Sequence, residues 1–588
     1  MGPVVGEPFR SYHAPLVSAH AAPRGREVAL QALDERAEVG GASRLLSAAP
    51  LEHAEVSYGL PSWRYRLGGG VLERRVAMVH GHNVALIKYA WSGPTALALT
   101  LRPGFLLRGH SAPLGEAGAP LRFTGRDDAI CAMRADGSAI EVRLQGARAT
   151  LHPVERVRIT RPLEPARGYG GEGVVEVPGA LRIALQPGAS ATLVIADGAA
   201  WRGDPTVAFE VERARRRALG SPLRAAADAF VIRRPGDGRA QVIAGYPWFG
   251  SWGRDTFIAL EGLTLTAGRP ALAREVLVGF GAEVRDGLIP NQLADGPSAA
   301  TYNTCDATLW FVHALGRYHA RTGDRGAVDA LMPKLREIFA HHRAGTRFGI
   351  GVDARDGLLR ASAPELQLTW MDAKVDGWVV TPRRGKPVEV NALWFQALQL
   401  MARWTGERAF EREAARVRAA FNTRFWCEGR QHLFDVVDGE AGDEPALRPN
   451  QLLAVSLPHP ALDPARWPAV MNAVRRALWT PLGLRTLAPD DPHYRGRYAG
   501  DVRSRDGAYH QGTVWPWWVG AWVDANLAVD PDSAPTLRAS LNALEDRLRD
   551  TGSVDEVFDG DAPHAPEGCP LQAWSVAELL RARERVGR

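Results

Sequence analysis

The stretch Asp306-Ala307-Thr308-Leu309-Trp310-Phe311-Val312-His313-Ala314-Leu315-Gly316-Arg317-Tyr318 sets Phe311, Ala314, Leu315 and Tyr318 at offsets of three, four and seven. That is the one-sided spacing of an amphipathic helix. Working outward, helical periodicity recurs near 222–233, 253–267, 270–286, 305–323, 326–346, 387–404, 406–426, 447–457, 464–478, 513–526, 534–551 and 570–585, cut by Pro and Gly clusters. Upstream of about residue 215 the pattern is different. Val84–Trp91, Thr95–Thr100, Ile140–Leu144 and Ala191–Ala196 alternate or run apolar between Gly- and Pro-rich turns, as short antiparallel strands do. The expectation is therefore an N-terminal antiparallel β-sandwich over 1–215, then an all-α (α/α)6 toroid over 220–588 in which six inner helices are wrapped by six outer ones. Long polar, aromatic-rich connections at 241–255, 288–304, 353–386, 484–512 and 552–569 are expected to gather at one mouth, since loops of such length in a compact domain are usually functional.

Bulk properties narrow the function. At 588 residues, 46% hydrophobic and 23% charged, the chain has the composition of an ordered globular protein. No apolar run reaches the length of a membrane span and no signal-peptide pattern opens the chain, so a cytoplasmic location is expected. Cys131, Cys305, Cys427 and Cys569 are widely spaced, lack metal-ligand spacing and are expected to be reduced thiols. The net charge is +5, carried almost wholly by arginine, with lysine only at Lys88, Lys334, Lys374 and Lys386. It is interspersed with acids, as in Asp546-Arg547-Leu548-Arg549-Asp550, and forms no basic stripe, so no nucleic-acid partner is expected. A Walker phosphate loop, a nucleophile elbow and a His-Glu-x-x-His zinc motif are all missing from the sequence.

What the loops do contain is acids among aromatics and amides. Thr369-Trp370-Met371-Asp372 places a carboxylate after a bulky apolar pair, where its pKa can rise so that it donates a proton. The same pattern also serves as packing plus a helix cap. Tyr246-Pro247-Trp248-Phe249-Gly250-Ser251-Trp252-Gly253-Arg254-Asp255 offers aromatic faces, Trp252 among them, for the apolar side of a pyranose, and Arg254 and Asp255 for its hydroxyls. Asp255 equally fits a helix cap with Arg254 neutralising it. Asp306 is either a ligand group or a cap, and His510 either catalytic or a satisfied structural histidine. In Val554-Asp555-Glu556-Val557-Phe558-Asp559-Gly560-Asp561 the acids lack the regular spacing of a calcium loop, leaving Glu556 as the natural candidate for an ionised base. Paired acids in such surroundings are what glycoside hydrolysis uses.

These strings, with Thr381-Pro382-Arg383, Val388-Glu389-Val390-Asn391-Ala392-Leu393-Trp394, Tyr509-His510-Gln511-Gly512-Thr513-Val514-Trp515-Pro516-Trp517 and Gly568-Cys569-Pro570 to Gln572-Ala573-Trp574-Ser575, resemble in order the amylo-α-1,6-glucosidase family, the glucosidase part of glycogen debranching enzymes. Arg10-Ser11-Tyr12-His13-Ala14-Pro15-Leu16-Val17 resembles the β-domain of the bacterial and archaeal forms. The resemblance implies an inverting (α/α)6 glucosidase that removes glucose from α-1,6 branches of glycogen, limit dextrin or branched maltodextrin. By motif, Asp372 would be the general acid and Glu556 the general base. Arg254 and Asp255 would hold the non-reducing glucose, and Trp370, Lys374, Glu389, Asn391, His510, Gln511, Trp515, Gln572 and Trp574 would be further sugar contacts.

Two departures qualify it. Only Gly2 to Gly6 precedes Arg10, where relatives carry Trp-Leu-x-Thr-Asn and a glycine-rich stretch, so a trimmed or misassigned start is expected. The β-rich part, roughly 220 residues, is short for a (β/α)8 transferase barrel and does not alternate strand with helix. A single displacement by two acids calls for no metal or organic cofactor, and activity is expected to survive EDTA. Three rivals stay open: an (α/α)6 glucosidase acting on α-1,4 links or trehalose, a phosphorolytic enzyme of similar shape, and a non-catalytic glycan-binding protein. Nothing in the sequence fixes the oligomeric state.

Overall fold

A computed structural model describes residues 8–21, 24–198, 201–234, 236–294 and 299–587. The Gly2 to Gly6 stretch lies outside them. The chain divides into two compact units, one running to Ala226 and the other made of Ala227–Arg234, Gly238–Leu548 and Ser553–Arg588.

The first unit is antiparallel and β-rich, with an eight-stranded and a five-stranded sheet that share one apolar core. Alternation explains the sharing. Strand Leu97–Gly104 buries Leu97, Leu99 and Leu101 and leaves the residues between them half-buried. Strand Val84–Ser92 of the other sheet sends Ala85, Ile87, Tyr89 and Trp91 into the same core. One segment departs from the β expectation: Pro205–Ala218 is a helix, started by Asp204, whose carboxylate accepts from the Thr206 and Val207 N–H groups.

In the second unit six helices close a ring: α1 (Gly253–Leu260), α2 (Ala307–Thr322), α3 (Val388–Thr405), α4 (Leu453–Ser456), α5 (Trp518–Val529) and α6 (Ala573–Arg585). Each packs on the next, and α6 packs on α1. Composition separates these helices from those outside them. Nearly every residue of α3 is buried, as are the first six of α5, as a helix covered on all sides requires. Helix Arg408–Arg424 packs on α3 and buries only Phe410, Ala414, Val417 and Phe421, one stripe at helical spacing. Helices Pro270–Gly281 and Arg325–Ala344 pack on α2, and Trp467–Ala477 on α5, in the same manner.

The expectation of an all-α unit is corrected, because short strand pairs line the connections. The longest group joins Trp479–Thr480, Gly483–Arg485, Val514–Trp515, Val557–Phe558 and Pro566–Glu567 in one antiparallel sheet. That sheet also explains why the helix expected over 513–526 starts at Trp518: Val514 and Trp515 pair with Arg485 and Leu484 instead. All four cysteines are free thiols. No described helix is long and apolar enough to cross a membrane.

Candidate active site

The residues singled out in the sequence lie where the chain enters the ring helices. Arg254 and Asp255 occupy the first turn of α1, Asp306 precedes α2, Glu389 and Asn391 open α3, His510, Gln511 and Trp515 precede α5, and Gln572 and Trp574 begin α6. Contacts between segments far apart in sequence draw most of them together. The Arg254 guanidinium, 2% exposed, donates from Nε to both oxygens of Asp306 at 2.9 Å, from Nη2 to Thr304 Oγ1 at 3.3 Å and from Nη1 to Asp372 Oδ2 at 2.9 Å. Asp306 is fully buried and takes a third hydrogen bond from Thr304, so it serves to hold Arg254. Asp372, unlike Asp306, keeps 27% of its side-chain surface accessible.

Glu556 arrives from the far side of the sequence. Its Oε1 accepts from the Tyr509 phenol and its Oε2 from the Cys569 N–H at 2.9 Å. Gly568 makes the approach feasible: it sits at φ 65°, and a Cβ there would come within 2.6 Å of Glu556 Oε2.

The walls are aromatic. The Trp370 ring meets His510, Trp515, Trp517 and Trp518 edge-on at 5.2–5.6 Å between centroids. His510 stacks on Trp515 with 17° between planes, and Trp574 stacks on Trp517. Burial, helped by the charges of Arg448, Arg254 and Arg383, holds the His510 imidazole neutral. Trp370 is anchored from behind, its indole donating to Asn450 Oδ1 at 2.7 Å, while the Asn450 amide donates to Asp435. The Gln572 amide lies between Asp255 Oδ1, the Ala244 carbonyl and the Trp574 indole.

Three carboxyls sense one another here. Burial pushes Asp255 up to about 8, opposed by Arg254 and reinforced by the charges of Asp372 and Glu556. Burial also raises Asp372, with Arg254 pulling down and Asp306 adding to the rise. Glu556 is pushed up to about 7 by burial, against the Tyr509 and Cys569 hydrogen bonds and with a further contribution from Asp372. A cluster of carboxyls all raised above their ordinary range is suited to acid–base work.

Other expected residues have different partners. Glu389 is 1% exposed and paired with Arg383, which also grips Asp435. Asn391 is fully buried, accepting from the Leu359 N–H and donating to the Leu359 and Pro387 carbonyls. Lys374 donates to the Glu365 carbonyl at 2.7 Å. Gln511 bridges Arg448 and Thr381. Trp252 is half-buried, edge-on to Phe249. Tyr509 and Asn450 were not singled out; Tyr509 stands next to His510 in a quoted motif, whereas nothing local marks Asn450.

The acids of the 554–561 turn diverge to separate partners: Asp555 to Arg547, Asp559 to the Tyr498 N–H, Asp561 to the Tyr494 phenol. A second acidic group, Asp353, Asp356 and Asp438, surrounds the Lys386 ammonium at 2.6–2.9 Å, so a lysine supplies the cation there.

Such a ring of helices has a known counterpart. The fold is similar to that of a bacterial glucoamylase crystallised with acarbose, with a TM-score of 0.58 at 10% identity over 99% of this chain and 94% of that one. Residues 225–581 match the amylo-alpha-1,6-glucosidase model and residues 1–192 the glycogen debranching enzyme N-terminal model. The class is that of a glycoside hydrolase. The chain belongs to the amylo-α-1,6-glucosidase family. It is 25% identical over 463 residues to the glycogen debranching enzyme of Saccharomyces cerevisiae, a match that covers 59% of this chain and 30% of the yeast protein.

Proposed function

We propose that this enzyme releases glucose from α-1,6 branch points of glycogen or limit dextrin by single displacement with inversion, in the mouth of an (α/α)6 toroid. The observation that carries the proposal is the pair Asp372 and Glu556. Both carboxyls are raised above their ordinary range, they interact electrostatically, and they differ in exposure and in their partners. Asp372 keeps an accessible face toward which a glycosidic oxygen can approach, and acts as the acid. Glu556 is oriented by two donors that favour its ionised form, and acts as the base that deprotonates water. For inversion the carboxyls stand roughly 6.5–9.5 Å apart, leaving room for that water.

Arg254 and Asp255 face the non-reducing glucose, with Trp574 and Trp515 walling it. The Arg254–Asp372 ion pair also has a role in the cycle. As the acid gives up its proton to the leaving group, the guanidinium already in place stabilises the carboxylate that forms. The family supports the α-1,6 linkage. A cytoplasmic location fits such a substrate.

The test is glucose release from phosphorylase limit dextrin beside maltooligosaccharides and trehalose. Glucose from limit dextrin ahead of the other two is the expected result. Preference for maltooligosaccharides or trehalose would move the assignment to another glucosidase activity, and glucose 1-phosphate formed only with phosphate would make it phosphorolytic. Binding without turnover would leave a glycan-binding protein.

A further inference from the structure

Six residues after the acid stands a tryptophan with no part in the site as described so far. Lys374–Val375 and Trp378–Val379 form a tight hairpin, Lys374 opposite Val379 and Val375 opposite Trp378, turned by Asp376 at φ 49° and Gly377 at φ 80°. Two consecutive positive φ values mark the two-residue turn that keeps such strands in register. The hairpin is rooted beside the acid, where the Val380 N–H donates to the Ala373 carbonyl at 3.1 Å. Trp378 is two residue steps from that root, roughly 7 Å at the usual rise.

Val375 and Val379 turn into the protein, yet Trp378 is 38% exposed. Its indole is nonetheless fixed. The Arg503 guanidinium lies over the ring at 4.9 Å from its centre, an arrangement that favours a flat, held aromatic. Gly507 supplies the seat, since a Cβ there would lie 3.3 Å from Trp378 Cη2. Gly507 is two residues before Tyr509, whose phenol holds Glu556. Trp378 is thus anchored to the segment of the acid on one side and, on the other, to the segment whose Tyr509 holds the base.

A pyranose presents an apolar C–H face that matches the electron-rich face of an indole. The −1 glucose meets buried groups, but the main chain of a branched glucan must run out into solvent, and a platform for it has to be partly exposed. The acid protonates the oxygen of the leaving chain, so the surface continuing outward from Asp372 belongs to that chain. We propose that Trp378 is a stacking platform for a glucose unit of the leaving-group chain, and so selects long-chain over short-chain substrates. The proposal rests on the hydrolytic reading above for its direction, and on the pre-set indole for its existence.

Trp378→Ala and Trp378→Phe are made both in the active enzyme and in Asp372→Asn. Calorimetric titration of the Asp372→Asn proteins with maltoheptaose is expected to show binding weakened about tenfold by Ala and largely restored by Phe. In the active enzyme, kcat/KM for a branched dextrin with a long main chain is expected to fall about tenfold relative to α-glucosyl fluoride, whose leaving group does not reach the platform. Maltoheptaose binding that Ala does not weaken, or equal loss on both substrates, would overturn the platform. If binding weakens as expected but no α-glucan yields glucose, the platform stands as a glycan contact and the hydrolytic reading is the one that fails.

Discussion

Arg254 Nη1 donates to Asp372 Oδ2 at 2.9 Å while both oxygens of Asp306 hold the same guanidinium from behind. Asp372 therefore faces a cation that cannot swing away, and burial, with the charge of Asp306 adding to it, keeps its proton affinity up. Asp372→Asn retains an oxygen for Arg254 but has no transferable proton. kcat should fall by about 10²–10⁴ with glucan affinity changed far less. Steady-state kinetics with oligosaccharide titration check this; undiminished turnover would remove Asp372 from the mechanism.

Tyr509 and the Cys569 N–H are what restrain the Glu556 pKa against burial. Tyr509→Phe removes one of these donors, so the Glu556 pKa should rise above its value of about 7. The base must be ionised to work, and the acid limb of kcat/KM should move to higher pH by about 1 unit. A pH–rate profile reads this directly, and an unmoved limb would detach Tyr509 from the base.

Asp255 carries a stability signature. Its pKa is about 8 in the fold against an ordinary 3.8, so between those values the folded state holds a proton that the unfolded chain has lost. The stabilising effect of that proton is complete below the lower value and is lost as pH rises through the upper one. Asp255→Asn has no such proton to lose. Its melting temperature should therefore rise relative to wild type between about pH 4 and 8 and stay higher above, while activity drops with the sugar contact. Parallel melting curves across pH would contradict it.

Asn450 links the Trp370 indole to Asp435, all three buried. Asn450→Ala leaves an indole N–H and a carboxylate short of a partner, at a cost of about 2–4 kcal/mol. Thermal unfolding should shift down by several degrees. Because Trp370 is two residues from Asp372, kcat should fall as well. An unchanged melting temperature would show the relay to be dispensable.

The sequence made most helices legible because burial on one face leaves a periodic trace, as in Phe311, Ala314, Leu315 and Tyr318, and burial all round leaves a long apolar run. The clustering of acids, amides and aromatics was legible too, since they fall in the connections and at the starts of those helices. Closure of α6 on α1 was not readable locally, because it joins segments some three hundred residues apart. Nor was the fate of Glu389: an acid at a helix start among polar neighbours looks the same whether it meets a sugar or Arg383. Asp435 and Asn450, which complete that interior network, lie in segments with no distinguishing pattern. The short strands of the connections escaped notice because two-residue pairs carry no alternation.

The measurement that bears most directly on Asp372 and Glu556 as an inverting pair is the anomer of the glucose first released from limit dextrin, followed by proton NMR before mutarotation. β-Glucose should appear first and then decay toward equilibrium. α-Glucose appearing first would mean a double displacement, and would contradict the account of these two carboxyls.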